Sequence, residues 1–124
     1  METITGLLID VLNNTSAVVD VPNTMTGFRD ALHSRCLAFT RWRWEGKPFA
    51  IICTGAGYKT PENKTTIKDK RGRKLIGGSV FIVKATEDYG MESLTLEDCA
   101  MLFAHAFSPG GDYLPVINDC EYYE

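Results

Sequence analysis

The sequence predicts a single α+β domain in which two helices pack on one face of an antiparallel sheet of about five strands. Its length of 124 residues suits one domain with a hydrophobic core of its own. Paired β-rich segments separated by short turns indicate consecutive hairpins, which favour antiparallel pairing. Two stretches with apolar residues at helical spacing supply the helices, so the expected order is β-β-α-β-β-loop-β-α.

Two hairpins and a short helix are predicted in the first half of the chain. Residues 4–12 and 17–21 are β-rich and are joined by an Asn-rich turn, because Asn tolerates left-handed backbone conformations. Apolar residues over 24–35 then follow one helical stripe, with a threonine available as the N-cap. The second hairpin is expected to pair residues 36–44 with residues 48–54.

A long basic loop is predicted over residues 55–74. Apart from Tyr58 and Ile67 this segment holds almost no apolar residue, and its Gly, Pro and Asn residues are turn formers. Loops of this length are uncommon in compact domains and are usually functional or disordered. A buried strand is expected to follow over residues 75–85.

The clearest helix signal lies near the end of the chain. Thr95 is a predicted N-cap, and Asp98 stands three residues further on, as in a capping box. Apolar residues then recur at helical spacing as far as residue 107, so this helix is expected to be largely buried. The domain is therefore expected to span residues 1–111, and residues 112–124 to form an acidic C-terminal tail.

Positive charge is concentrated in the middle of the chain. Eleven of the thirteen Lys and Arg residues lie between Arg41 and Lys84, against three acidic residues, which gives this segment a local charge of +8. The net charge of −3 therefore conceals a strongly polarised molecule. Segregated charge of this kind indicates an anionic partner and says little about the fold.

The basic residues suggest a site for phosphate. On the strand Arg41-Trp42-Arg43-Trp44, alternation places both arginines on one face, where they could clamp phosphate, and both tryptophans on the other. The loop adds basic side chains, hydroxyl groups and an aromatic ring for stacking. The same residues also fit a solvated charged face, a buried tryptophan pair and a flexible loop. The predicted ligand-binding residues are Arg41, Trp42, Arg43, Trp44, Tyr58, Lys59, Thr60, Asn63, Lys64, Thr65, Lys70, Arg71 and Arg73.

No catalytic, metal-binding or targeting motif accompanies the charge. The four cysteines are widely spaced without a C-x-x-C pair, so neither a zinc site nor a redox motif is expected, and Cys120 is the one candidate for an exposed thiol. His33 and Ser34 are adjacent on a helix, diverge by about 100° and do not form a dyad. We therefore expect no enzymatic activity, no cofactor, no membrane span and a cytoplasmic protein.

An ordered set of segments resembles one known family. The segments are Cys53-Thr54-Gly55 at a strand end, Thr60-Pro61-Glu62-Asn63-Lys64, the run from Ile76 to Val83, and the helix start from Ser93 to Asp98. In this order they resemble domain-of-unknown-function family 3846, small proteins of phages and bacterial mobile elements. This chain has Gly55-Ala56-Gly57-Tyr58-Lys59 where that family usually carries an acidic residue and a glycine. The resemblance implies a phage-type context, an α+β fold and no assigned catalysis.

Three functions remain open at this point. The leading hypothesis is a non-catalytic phage-type protein of the host bacterial cytoplasm that counters host defence by sequestering an anionic small molecule, such as a linear or cyclic nucleotide signal. The first alternative is a nucleic-acid-binding accessory protein that uses the same residues. The second is an inhibitor that docks a host defence protein through its acidic C-terminal surface. A homo-oligomer, in which that surface meets the basic loop of a second copy, is a further expectation.

Overall fold

A computed structural model describes residues 2–54, 64–88, 90–107 and 114–122. Strands account for 55% and helices for 16% of these residues, so the described part of the chain is mostly β. No helix in these ranges is long and apolar enough to cross a membrane. The elements are β1 (Thr3–Asp10), β2 (Thr15–Pro22), α1 (Met25–Leu32), β3 (Leu37–Trp44), β4 (Lys47–Thr54), β5 (Thr65–Asp69), β6 (Lys74–Gly77), β7 (Val80–Ala85), β8 (Met91–Glu92), α2 (Leu96–Ala104), β9 (Ala106–Phe107) and β10 (Val116–Tyr122).

The strands form one mixed sheet in the order β2-β1-β7-β4-β3-β10-β5-β6, with β8 paired to β7 and β9 paired to β10. Pairings between the described strands are antiparallel except that of β10 with β5, which is parallel. The predicted fold class, an α+β domain with an antiparallel sheet of about five strands, is therefore wrong. Within the described ranges the sheet has ten strands and carries two helices.

The predicted hairpins and helix starts are confirmed. In the turn between β1 and β2, Asn14 has a φ of 54°, the left-handed conformation expected of Asn. In the turn between β3 and β4, Glu45 and Gly46 both have positive φ, as a two-residue type I′ turn requires. Thr24 caps α1 by accepting a hydrogen bond from a backbone N–H of the first turn, and Thr95 and Asp98 form the predicted capping box of α2.

The two helices lie on opposite faces of the sheet, and the prediction that both lie on one face is wrong. Within β4, Ile51 packs in the core cluster that contains Leu102 of α2. The next residue, Ile52, packs in the cluster that contains Phe28 and Leu32 of α1. Successive side chains of a strand point to opposite faces. The central strands are apolar on both faces, so each face needs a helix or further strands to cover it.

The segment predicted as a long loop contains a strand. β5 lies within residues 55–74, and the fully buried Ile67 anchors it in the core. The Thr66 hydroxyl, also buried, donates to the backbone oxygen of Gly78 at 3.0 Å, so a polar residue is satisfied inside the sheet. The strand predicted over residues 75–85 is divided at Gly78 and Ser79 into β6 and β7. Residues 55–63 lie outside the described residues.

The segment predicted as an acidic tail contains β10, which lies between β3 and β5 in the sheet. Its first two residues pair with β9, Ile117 and Cys120 pair with β5, and its last two residues pair with β3. The register shifts between Ile117 and Cys120, and Asp119 has a φ of 65°. This bulge interrupts the two-residue alternation that marks a strand in sequence, which explains the missed prediction. Cys120 is buried, and the exposed thiol is Cys36.

Candidate anion-binding pocket

A pocket of about 490 Å³ lies where β3, β10 and the turn between β5 and β6 meet. Four of the residues that line it are basic and two are acidic, so the lining has an excess of two positive charges. We call it the basic pocket. Its lining residues are Arg43, Asp69, Lys70, Arg71, Arg73, Cys120 and Glu121.

Strand pairing across β10 assembles the basic pocket from distant parts of the chain. Arg43 of β3 lies directly opposite Glu121 in the antiparallel pairing of β3 with β10. Cys120, the neighbour of Glu121, lies opposite Asp69 in the parallel pairing of β10 with β5. Because neighbouring strands lie about 4.8 Å apart, these pairings bring Arg43 to the same region as the β5–β6 turn.

Asp69 fixes the conformation of the β5–β6 turn. Its Oδ1 accepts hydrogen bonds from the backbone N–H groups of Arg71 and Arg73, each at 2.9 Å, and its Oδ2 accepts one from Arg73 Nε at 2.9 Å. The backbone hydrogen bond from Arg73, together with the other bonds from the two arginines, holds the pKa of Asp69 below its usual value. Gly72 supplies the positive φ that the turn needs. The turn therefore presents its basic side chains from a fixed backbone.

The basic side chains of the turn differ in their partners. Lys70 forms an ion pair with Glu121, whose hydrogen bond raises the pKa of the Lys70 ammonium group. Arg73 forms an ion pair with Asp69. No ion pair joins the Arg71 guanidinium to another described residue. At this turn an entering anion would therefore meet one guanidinium without an ion-pair partner among the described residues, and two cations that each already pair with a carboxylate.

Four of the predicted ligand-binding residues line the basic pocket, namely Arg43, Lys70, Arg71 and Arg73. Thr65 is the first residue of β5 and Lys64 directly precedes it, at the end of that strand far from the β5–β6 turn. Tyr58, Lys59, Thr60 and Asn63 lie outside the described residues.

Arg41 lies outside the basic pocket, although it is only two residues from Arg43. Its Nη1 donates to the backbone oxygen of Thr86 at 2.8 Å, and its Nη2 donates to that of Gly90 at 2.9 Å. Both acceptors belong to the turn between β7 and β8, which Arg41 therefore fastens to β3. The structure does not bring the two arginines together as one phosphate clamp.

Both tryptophans face the core. This agrees with the alternative interpretation of the sequence, in which they form a buried pair. Trp44 is fully buried and its Nε1 donates to the backbone oxygen of Asn118 at 2.8 Å. Its ring meets that of Phe49 edge-on, with the ring centroids 5.6 Å apart. Trp42 packs against the same core cluster. Neither ring lines the basic pocket, so neither is placed to stack on a ligand there.

Sequence reasoning missed three lining residues, Asp69, Cys120 and Glu121. A signal for Asp69 was present, because Asp69-Lys70-Arg71-Gly72 has the Asp and Gly spacing of a tight turn. Cys120 and Glu121 lie on β10, whose place in the sheet has no local signature.

His105 joins three elements close to the basic pocket. Its Nδ1 lies 2.8 Å from Asp119 Oδ2 in the β10 bulge, and its Nε2 lies 3.0 Å from Glu45 Oε2 in the β3–β4 turn. Burial disfavours the imidazolium, but the hydrogen bonds of the two carboxylates outweigh it and raise the pKa of His105 above its ordinary value of 6.5. When it is protonated, the ring therefore ties the C-terminus of α2 to the β10 bulge and to the β3–β4 turn.

This arrangement predicts a pH-dependent contribution to stability. The pKa of His105 is raised in the folded state, so its stabilisation is fully present below pH 6.5 and is lost as the pH rises through the folded-state pKa. Relative to His105→Gln, the wild type is expected to gain roughly 1 kcal/mol of unfolding free energy at pH 5.5, a modest value because both carboxylates are half exposed. Urea denaturation between pH 5.5 and 9 measures the difference. A gap between the two proteins that stays constant over this range would contradict the assignment.

A second polar cluster closes the turn between β1 and β2. The buried Asp10 accepts hydrogen bonds from the backbone N–H groups of Leu12 and Asn13, and its Oδ2 lies 3.1 Å from His33 Nε2. The hydroxyl of Ser34 donates to the backbone oxygen of Cys36 and not to His33. These contacts hold the end of α1 to the hairpin, and they do not assemble a nucleophile with a base. The described residues include no group of three or more His, Cys, Asp or Glu that could hold a metal ion.

Comparisons with known proteins give no family assignment. The chain matches no protein-family model, no curated protein and no solved structure. The resemblance to domain-of-unknown-function family 3846 stays a prediction from the sequence. The chemistry of the basic pocket is therefore the basis on which we infer function.

Proposed function

We propose that this protein is a non-catalytic binding protein that holds a phosphate-bearing small molecule in the basic pocket. The observation that supports it is the convergence of Arg43, Lys70, Arg71 and Arg73, from two distant segments, on one pocket of about 490 Å³. Small-molecule sites typically enclose roughly 300–1,000 Å³, so the pocket is large enough for such a ligand.

The side chains of the pocket favour phosphate over other anions. Guanidinium groups bind phosphate oxygens in a bidentate manner, and three of the four basic lining residues are arginines. The excess of two positive charges in the lining favours a ligand that carries at least two negative charges. A terminal phosphate or a pyrophosphate group meets both conditions.

A nucleotide signal remains the ligand that we propose within this class. The described lining residues include no aromatic side chain, so they support recognition of the phosphates and not of the base. The phage-type context and the counter-defence role depend on the sequence resemblance, and they belong to the proposal on that ground alone.

Isothermal titration with pyrophosphate at low salt tests the proposed site. Arg71→Met removes the guanidinium that has no ion-pair partner among the described residues, so we expect the dissociation constant to rise about ten-fold. Arg29→Met is the matched control, because Arg29 is exposed on α1 and carries the same charge outside the basic pocket. The control is expected to change the dissociation constant less than about two-fold. Equal losses in both variants would mean that the protein attracts pyrophosphate only through its general charge.

The nucleic-acid alternative makes a different prediction in the same experiment. Binding of a single-stranded oligonucleotide through many phosphate contacts would weaken steeply with salt, whereas a closed small-molecule site shows a shallow dependence and a defined stoichiometry. The other alternative is an inhibitor that docks a host protein through an acidic C-terminal surface, and β10 gives it no support. Asp119 and Glu121 are engaged within the protein by His105 and Lys70.

A further inference from the structure

Glu121 places a carboxylate inside the basic pocket, where an anionic ligand would have to sit. It lies directly across the strand pairing from Arg43. Its Oε1 forms an ion pair with Lys70 of the β5–β6 turn. Basic residues from two separate elements therefore flank one carboxylate, which is also how a protein surrounds a bound anion.

The two carboxylates of the pocket are held very differently. Asp69 has only 7% of its side chain exposed and accepts three hydrogen bonds from the turn that it shapes. Glu121 has 35% of its side chain exposed, and its partner Lys70 has 63% exposed. Ion pairs as exposed as this one are weak, because water screens them and both side chains lose freedom. Asp69 is thus a structural part of the turn. The contact between Glu121 and Lys70, by contrast, is easily replaced by a contact between Lys70 and another anion.

We propose that Glu121 is an intramolecular competitor for the ligand of the basic pocket, and that a phosphate ligand must displace its carboxylate from Lys70. The inference depends on the proposed function, since it concerns the same pocket. It also narrows the ligand class. A monoanionic carboxylate offers Lys70 nothing that Glu121 does not already supply, whereas a phosphate with two negative charges binds more strongly. Glu121 therefore selects multiply charged phosphates over carboxylates.

Titration of Glu121→Gln with pyrophosphate tests the competition. Glutamine keeps the size of the side chain but gives up the charge, so both the competition for Lys70 and the repulsion of the ligand are lost. We expect pyrophosphate to bind roughly three- to ten-fold more tightly than it binds the wild type. Glu97→Gln is the matched control, because it changes the net charge equally at an exposed residue of α2 outside the pocket lining. The control is expected to change affinity less than about two-fold.

Arg71→Met, titrated in parallel, separates failure of this inference from failure of the proposed function. If Arg71→Met weakens binding but Glu121→Gln binds no more tightly than Glu97→Gln, the pocket is the site and the competition is refuted. If the wild type and all variants fail to bind, or if Arg71→Met binds like the wild type, both proposals are refuted. A gain in Glu121→Gln alone, with a loss in Arg71→Met, supports both.

A measurement on the wild type guards against a folding defect in Glu121→Gln. Carbon-13 NMR of the side-chain carboxyl groups follows Glu121 directly during a titration with pyrophosphate. We expect the Glu121 carboxyl signal to shift as the ligand saturates, and that of Asp69 to move less because its contacts are retained. An unchanged Glu121 signal at saturation would overturn the displacement.

Discussion

A chain that ends at Pro115 is expected not to fold, although it lacks only the last nine residues. The truncation removes β10 from between β3 and β5 and leaves both neighbours without a partner on that side. It also removes Ile117, 0% exposed, and Cys120, 2% exposed, from the core cluster that holds Trp44. We expect the loss to exceed about 5 kcal/mol, which is comparable with the whole stability of a typical domain. Far-UV circular dichroism and thermal melting measure it.

Ile117→Val is the control for this truncation. It keeps β10 in place and removes one buried methylene, so it is expected to cost about 0.5–1.5 kcal/mol and to leave a cooperative melt. If the truncated chain melts cooperatively near the wild-type temperature, β10 is not needed for the folded sheet and the described sheet order is wrong. The same result would restore the tail interpretation that the sequence suggested for residues 112–124.

Replacement of Trp44 by alanine is expected to be the most damaging single substitution. The side chain is fully buried, packs edge-on against Phe49 and donates a hydrogen bond to the backbone oxygen of Asn118. Trp44→Ala leaves a large cavity and an unpaired acceptor, so we expect a loss of about 3–5 kcal/mol in unfolding free energy. Chemical denaturation measures the change. A loss below about 1 kcal/mol would mean that the ring is not part of the core.

Trp44→Phe distinguishes a core role from a ligand-stacking role. Phenylalanine keeps a ring but cannot donate to Asn118, so we expect a smaller loss of about 1–3 kcal/mol. The dissociation constant for pyrophosphate is expected to stay within about two-fold of the wild-type value, because Trp44 does not line the basic pocket. A folded Trp44→Phe protein that no longer binds pyrophosphate would contradict the placement of Trp44 outside the binding site.

Local signals in the sequence were sufficient for the hairpins and helix starts. The turn at Glu45-Gly46 and the capping box of Thr95 and Asp98 depend on residues within a few positions of one another. Their conformations are set by backbone preferences and short-range hydrogen bonds, so a sequence pattern can report them. Two predictions for α2 were wrong. The helix ends at Ala104, because residues 106 and 107 pair with β10 instead of continuing it. It is also not largely buried, since only Asp98 and Leu102 of the helix are buried.

Long-range pairing decided the parts of the fold that the sequence did not predict. β5 has one apolar residue, Ile67, so its sequence looks like a loop, and it becomes a strand because β10 and β6 lie beside it. β10 itself carries a bulge at Asp119, which hides its period. The two helices were assigned to one face because periodicity does not show which apolar face of a central strand a helix covers.

Charge in the sequence indicated the basic residues that line the candidate pocket, but not the shape of that pocket. The concentration of basic residues identified Arg43 and the β5–β6 turn, because charge is a property of composition. Glu121 joins them through the pairing of β10 with β3, and Arg41 is kept away by its hydrogen bonds to the β7–β8 turn. Both are contacts between distant parts of the chain, which a local sequence pattern does not show. The tryptophans illustrate the opposite case, since alternation along β3 correctly separated their face from that of the arginines.

The position of β10 makes the basic pocket a property of the completed fold. A partly folded chain with the sheet of β1, β4, β7 and β3 already formed would have Arg43 in place, but neither Glu121 nor the neighbouring β5–β6 turn beside it. A ligand of the pocket would therefore bind only chains in which β10 has docked, and its binding energy would be added to the stability of that docking step. The fraction of chains with bound ligand and the fraction with β10 docked in the sheet would then change together.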